Sequence, residues 1–259
     1  MRQLPLFHSI AGQPVLVLGE GAMAEPKRRL VERAGGRVVS DLQQGVDEGA
    51  RLAFVAHDDM AMCEADALRL RGAGLLVNVV DRPELCDFTT PSVLDRDPVL
   101  IAVGTGGASA GLAKQLRLRL EQVLPQSLGL LAQRLDLMKS GLRERFPDSA
   151  DRRRVIDAAL GEGGAFDVLD PAAAERVKLD GFDAEAVEAA GVHEIVLTSD
   201  DPEDLTLRQA RLLGTADAVL ADPAVPATIL NRARADARRL QWPQQAELPP
   251  GLVVILRRV

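Results

Sequence analysis

Over the first half of the chain, short apolar runs alternate with longer amphipathic stretches. Val15-Leu16-Val17-Leu18 is an unbroken apolar run stopping at Gly19, the pattern of a parallel strand buried on both faces. The residues from Gly21 to Ala34 then read as a helix that Gly35-Gly36 closes, and residues 37–40 as the next strand, which makes a βαβ unit. Residues 51–56 and 75–80 predict two more strands, with a helix over about 60–70 between them. Only about ten residues (DLQQGVDEGA) separate Ser40 from Arg51, too few for a helix, a further strand and a return connection, so the predicted sheet is small. A strand at 99–103 leads into a helical pattern over 109–124, with Leu112, Leu116, Leu120 and Val123 along one face and Pro125 ending it.

Beyond Ser127 the pattern changes. Residues 127–187 read as mostly helical and richly charged, with Arg152-Arg153-Arg154 and the breaker Gly161-Glu162-Gly163-Gly164. The last segment returns to α/β: strands at 194–197, 218–220 and 252–256, helices at 205–213 and 229–239.

Composition narrows the function. Among 259 residues, 47% are apolar but only 3% aromatic, with no Tyr, so the core must be built from Leu, Val, Ala and Ile, as in parallel α/β layers. The net charge of -7 argues against nonspecific nucleic-acid binding, which wants a basic face. Cys63 and Cys86 form no CxxC pair, and His8, His57 and His193 show no ligand spacing, so no metal site is expected. No run approaches the roughly 20 apolar residues of a membrane span. The N-terminus, with Pro5 and a single early Arg, does not read as a signal peptide, so a cytoplasmic protein without membrane partners is expected.

Four features carry candidate chemistry. Gly19, Gly21 and Ala24 fit the GxGxxG/A turn, in which the first glycine permits the tight turn and the second lets backbone approach a pyrophosphate. Ala22 and Met23 would present amides at that helix N-terminus, and Asp41, twenty residues past Gly21, can bond a ribose hydroxyl. A plain strand-to-helix turn with Asp41 as a loop acid is the alternative. Asp81, in Asn78-Val79-Val80-Asp81-Arg82-Pro83, follows a strand at what would be the carboxyl edge of the sheet, either as a reactive carboxylate or as a turn residue before Pro83. The loop Gly104-Thr105-Gly106-Gly107 precedes a helix and can hold a carboxylate on its amides or simply turn the chain, with Ser109 as N-cap. Lys114, Arg117 and Arg119 follow it as local positive charge or as a solvated face.

Taken together, LPLF at 4–7, the glycine turn, AGGR at 34–37, NVVD at 78–81, FTTPS at 88–92, PSVLDRDP at 91–98, GTGG at 104–107 and LPQSLG at 124–129 resemble the siroheme synthase dehydrogenase/ferrochelatase module. The resemblance implies an α/β fold with a small Rossmann-like NAD-binding domain at 1–90, a dimerisation segment at 91–125 and a helical domain at 126–188. It implies a homodimer that oxidises precorrin-2, a tetrapyrrole, with NAD as cofactor, and ferrous iron as a second substrate. Asp81 would be the general acid/base, with substrate held by Asn78, Thr105, Gly106 and Gly107. A dehydrogenase without chelatase activity and a non-catalytic nucleotide sensor both stay open. The chain departs from the family pattern in the short stretch after Ser40, which bears on NAD against NADP, and at Pro26, where arginine is usual. LTLRQARLLGTADAVL at 205–220 resembles part of the uroporphyrinogen methyltransferase domain fused to many siroheme synthases, but Thr198-Ser199-Asp200-Asp201-Pro202-Glu203-Asp204 stands where that domain has a glycine-rich turn. A truncated methyltransferase-like unit at 189–259 is the expectation.

Overall fold

A computed structural model describes residues 3–183, 191–242, 247–249 and 251–258. Two compact units divide the chain, one formed by residues 1–94 and 101–120 and the other by residues 95–100 and 121–259.

The first unit is a four-stranded parallel sheet in the order β2-β1-β3-β4, from β1 (Pro14–Leu18), β2 (Arg37–Val39), β3 (Leu52–Val55) and β4 (Leu76–Val79). The central strands β1 and β3 are buried on both faces, which is why they read as continuous apolar runs. Val15 and Val17 pack in the same cluster as Ala24 and Val31 of α1 (Gly21–Arg33). Leu16 and Leu18 point the other way, into a cluster with Cys63, Ala67 and Leu70 of α3 (Met60–Gly72). The short stretch after β2 holds a single six-residue helix, α2 (Leu42–Asp47), capped by the Asp41 side chain. It fits because Gly45 lies directly on Leu16: a Cβ there would come within 2.4 Å of the leucine side chain.

β5 (Ser92–Arg96) and β6 (Val99–Val103) form a two-stranded sheet, and α4 (Ala110–Val123) follows. Ala113 is the buried residue of α4; Leu112, Leu116, Leu120 and Val123 are 53%, 45%, 36% and 58% exposed, an apolar stripe on the helix.

In the second unit, α5 (Leu128–Leu137), α6 (Lys139–Arg145), α7 (Ser149–Leu160) and α8 (Ala173–Arg176) enclose Leu131, Leu142, Val155 and the edge-to-face pair Phe166–Phe182. A second all-parallel sheet, in the order β7-β10-β8-β9, is built from β7 (Gly191–Leu197), β8 (Ala218–Ala221), β9 (Arg238–Gln241) and β10 (Leu252–Arg258). Ile195, Val219, Val254 and Leu256 pack in one cluster with Leu213 of α9 (Leu207–Thr215) and Ile229 of α10 (Ala227–Leu230). Asp217 ties this sheet to α7: its carboxylate accepts from Arg153 at 3.3 Å, Arg154 at 3.0 Å and the Leu252 amide at 2.9 Å.

One expected element is wrong. The helix predicted over 229–239 is only the four-residue α10, and the chain returns as the edge strand β9. Arg234 and Asp236 chelate each other at 2.7 and 2.8 Å in the intervening turn, and β9 gains ladder bonds from β8 without needing an apolar face.

Candidate functional site

Because the first sheet is parallel, the carboxyl ends of its strands share one edge. Asp41, Gly19, His57 and Asp81 follow β2, β1, β3 and β4, so the strand order sets them along that edge in that sequence, at roughly 4.8 Å per strand. Strand order reverses between β1 and β3, the place where open α/β sheets leave a crevice for ligands.

The glycine turn sits at that reversal. Gly19 has φ +101°, and a Cβ on it would lie 2.2 Å from the Ala56 carbonyl oxygen just past β3, so only glycine fits. Gly21 has φ +71° and open space where its Cβ would be, so an approaching group meets bare backbone. The α1 N-terminus has no side-chain cap, which leaves the amides of Gly21, Ala22 and Met23 directed outward at the positive end of the helix. Ala24 is fully buried, fitting the helix against the sheet. Arg28 donates to the Gly19 carbonyl at 2.7 Å, and its shielded Nε has no partner. An uncapped helix end and open glycine backbone together suit a dinucleotide pyrophosphate. Asp41 accepts from the Gln44 amide at 2.8 Å through Oδ1, so one carboxylate oxygen is occupied as a helix cap.

Asp81 is exposed and has φ +59°, the one non-glycine among the described residues with positive φ. Such backbone costs energy and persists where the surroundings over-determine it. Here they do: behind Asp81, Asn78 is 6% exposed and donates to the Phe88 carbonyl at 2.8 Å, while the Cys86 sulfur contacts the amide and carbonyl of Val79 at 3.2 Å. Asn78 therefore faces inward and braces the segment after Asp81. Burial raises the Cys86 thiol, so it is a packed, protonated group. His57 pairs with Asp66 at 2.9 Å.

Thr105 uses its hydroxyl locally, accepting from the Ser109 amide at 3.1 Å and donating to the Ser109 carbonyl at 3.0 Å. Gly106 and Gly107 have φ +61° and +86° with open space around them, so it is the backbone of this loop that faces outward. Among the described residues no group of three or more His, Cys, Asp or Glu can hold a metal ion, and no helix is long and apolar enough to cross a membrane.

Sequence reasoning missed Lys27. Its ammonium donates to Thr90 Oγ1 at 2.9 Å and stands 5.5 Å from the Phe54 ring centroid. Burial lowers its pKa, opposed by the Asp81 carboxylate and then by Cys86. The available signal was helical phase: Lys27 lies one turn beyond Met23, on the same side of α1.

Sheet order, glycine turn and edge carboxylate define a Rossmann-like α/β fold of the NAD(P)-binding kind. A family model described as NAD(P)-binding matches residues 34–92, which include Asp81 and the strands around it. The chain is similar in sequence to siroheme synthases over most of its own length. It is 38% identical to the siroheme synthase of Methylococcus capsulatus over 93% of this chain and 33% identical to that of Ectopseudomonas mendocina over the same share. In each case it spans 57% of the relative's own length. A looser likeness is to the solved structure of SirC, precorrin-2 dehydrogenase, with TM-score 0.48 and 15% identity, covering 72% of this chain and 98% of that one.

Proposed function

We propose that this chain oxidises precorrin-2 to sirohydrochlorin with NAD and then inserts ferrous iron, as substrate, to give siroheme. The observation that carries the reading is Asp81, a carboxylate fixed in a strained backbone two strands from a glycine turn that fits a dinucleotide. The named activity of the homologues supports it. When bound, a nicotinamide dinucleotide supplies the hydride acceptor. The chain's own residues do the rest. Amides of Gly21, Ala22 and Met23 receive the pyrophosphate, and Asp41 on the β2 side receives a ribose hydroxyl on the oxygen its cap leaves open. With the adenosine half toward β2, the reactive half extends toward β3 and β4, where Asp81 stands. Asp81 takes the proton that leaves as the hydride departs, a balanced two-electron oxidation, and the same carboxylate removes pyrrole protons when iron enters. Amides of Gly106 and Gly107, beside Thr105, hold a substrate carboxylate.

A homodimer completes this reading, because the α4 stripe is apolar and exposed. The compartment is the cytoplasm, where free Cys63 and Cys86 stay reduced. The C-terminal unit, in this reading, is a methyltransferase remnant retained for packing. Its acidic turn after β7 is closed on itself by Asp201, which bonds the Glu203 amide, while Asp217 anchors the sheet to α7.

The test is an anaerobic absorbance time course with enzymatically generated precorrin-2 and NAD, for the native chain and Asp81→Asn, with ferrous iron added afterwards. Conversion by the native chain alone, and a further spectral change with iron, is expected. Equal conversion by Asp81→Asn removes the proposed base.

A further inference from the structure

Lys27 holds a half-buried ammonium that the chemistry assigned to Asp81 leaves unused. It is fixed from two sides. Thr90, whose hydroxyl accepts one of its hydrogens, belongs to the segment after Asp81, and that segment is pinned by the Asn78–Phe88 hydrogen bond and by the edge-to-face contact of Phe54 and Phe88, with centroids 5.5 Å apart. Phe54 lies 5.5 Å from the ammonium on another side. Among the described residues, Thr90 Oγ1 is the one acceptor bonded to Nζ and no carboxylate comes within 4.0 Å of it, so two of its three hydrogens have no acceptor there. Keeping a cation partly out of water without a bonded counter-ion is costly, and such groups collect at ligand sites.

The position distinguishes between anions. Lys27 follows Gly21 by six residues, about 9 Å along the helix axis, and faces Phe54 of β3 and Thr90. A pyrophosphate seated on the first-turn amides lies at the other end of that distance. The Asp81 carboxylate lies within electrostatic reach of the ammonium.

We propose that Lys27 is a substrate-binding residue of the Asp81 site, its two unspent hydrogens receiving a carboxylate of the acidic macrocycle and so turning the departing proton toward Asp81. This rests on the reading of Asp81 as the base. The bland role for the same residue is a tether between α1 and the Thr90 segment. Charge and tether are separable, because Thr90→Val removes the tether and keeps the ammonium.

The experiment uses the full chain in five forms: native, Lys27→Met, Lys27→Arg, Thr90→Val and Asp81→Asn. Sirohydrochlorin is titrated by absorbance and NAD by calorimetry, neither of which depends on turnover, and precorrin-2 conversion is followed separately. Lys27→Met is expected to weaken sirohydrochlorin binding ~10- to 100-fold, the worth of a charged hydrogen bond, with NAD affinity within about twofold of native. Lys27→Arg keeps most of the affinity, and Thr90→Val stays within about threefold. Native affinity in Lys27→Met overturns the proposal, as does a loss in Thr90→Val equal to that in Lys27→Met, which makes Lys27 a tether. A loss of NAD affinity in place of sirohydrochlorin affinity also overturns it, assigning the ammonium to a phosphate. Asp81→Asn reports on the parent reading alone: a converting Asp81→Asn sinks that reading, whatever the Lys27 titrations show.

Discussion

Alanine at Gly19 and at Gly21 separates the fold from the cofactor site, although the two residues belong to one turn. At Gly19, an L-residue at φ +101° costs about 1–2 kcal/mol. The new Cβ would also stand 2.2 Å from the Ala56 oxygen and 2.6 Å from its carbonyl carbon, backbone atoms that move only with the end of β3. That overpacking adds about 1–3 kcal/mol, and it strains the bond from the Ala56 amide to the Leu18 carbonyl at 2.9 Å. Gly19→Ala should therefore lose about 2–5 kcal/mol of unfolding free energy. At Gly21 only the backbone term applies, about 1–2 kcal/mol, since nothing lies within 4 Å of its Cβ position. That empty position is where a pyrophosphate would approach. Gly21→Ala should stay folded and still lose at least about tenfold in NAD affinity, because the methyl displaces the ligand from the amides. Urea denaturation followed by circular dichroism gives the first quantity and calorimetry the second. Native NAD affinity in Gly21→Ala would refute the placement of the cofactor, and equal stability of the two variants would refute the close approach of Gly19 to Ala56.

Asp217→Ala removes one carboxylate partner from Arg153 and from Arg154, which keeps Asp151, and frees the buried Leu252 amide, so the second unit should lose about 1–3 kcal/mol, read as an earlier urea transition; an unchanged midpoint counts against the anchor. Leu116→Glu with Leu120→Glu should convert a dimer to a monomer of native circular dichroism, measured by light scattering, because both side chains are on the exposed stripe; a monomeric native chain removes that interface. The carboxyls of Asp148 and Asp167 are held below the usual 3.8 by the backbone amides they accept from, and that of Asp170 by Arg176 and then an amide. A lowered folded value gives stability that is present above pH 3.8 and lost as pH falls through the lowered values. Thermal melts should thus hold their midpoint near neutrality and drop below about pH 4, with a shallower drop when Asp148 and Asp167 are both replaced by Asn.

The elements that sequence made legible are those buried on two faces or on one clear stripe. β1, β3 and β4 announce themselves as apolar runs because helices cover both sides of the sheet, and α4 does so through its leucines. β9 is opaque for the opposite reason. An edge strand takes its stability from backbone pairing with β8, so Arg238-Arg239-Leu240-Gln241 carries no strand pattern, and the spacing of Ile229, Ala233 and Ala237 imitates a helix. The Gly19 turn and the edge position of Asp81 follow from strand endings, which sequence shows well. What Asn78, Thr105 and Lys27 contact does not follow, because each depends on a residue brought near by the turn of the loop: Phe88 for Asn78, Ser109 for Thr105 and Thr90 for Lys27.

The central claim is that one chain couples the loss of a hydride and a proton from precorrin-2 to NAD. It is tested most directly by counting products in a sealed anaerobic single turnover, with NADH read from its near-ultraviolet absorbance and sirohydrochlorin from its visible spectrum. One NADH is expected for each sirohydrochlorin from the native chain, and neither product from Asp81→Asn. Sirohydrochlorin formed without NADH, or no conversion by the native chain at saturating NAD, would contradict it.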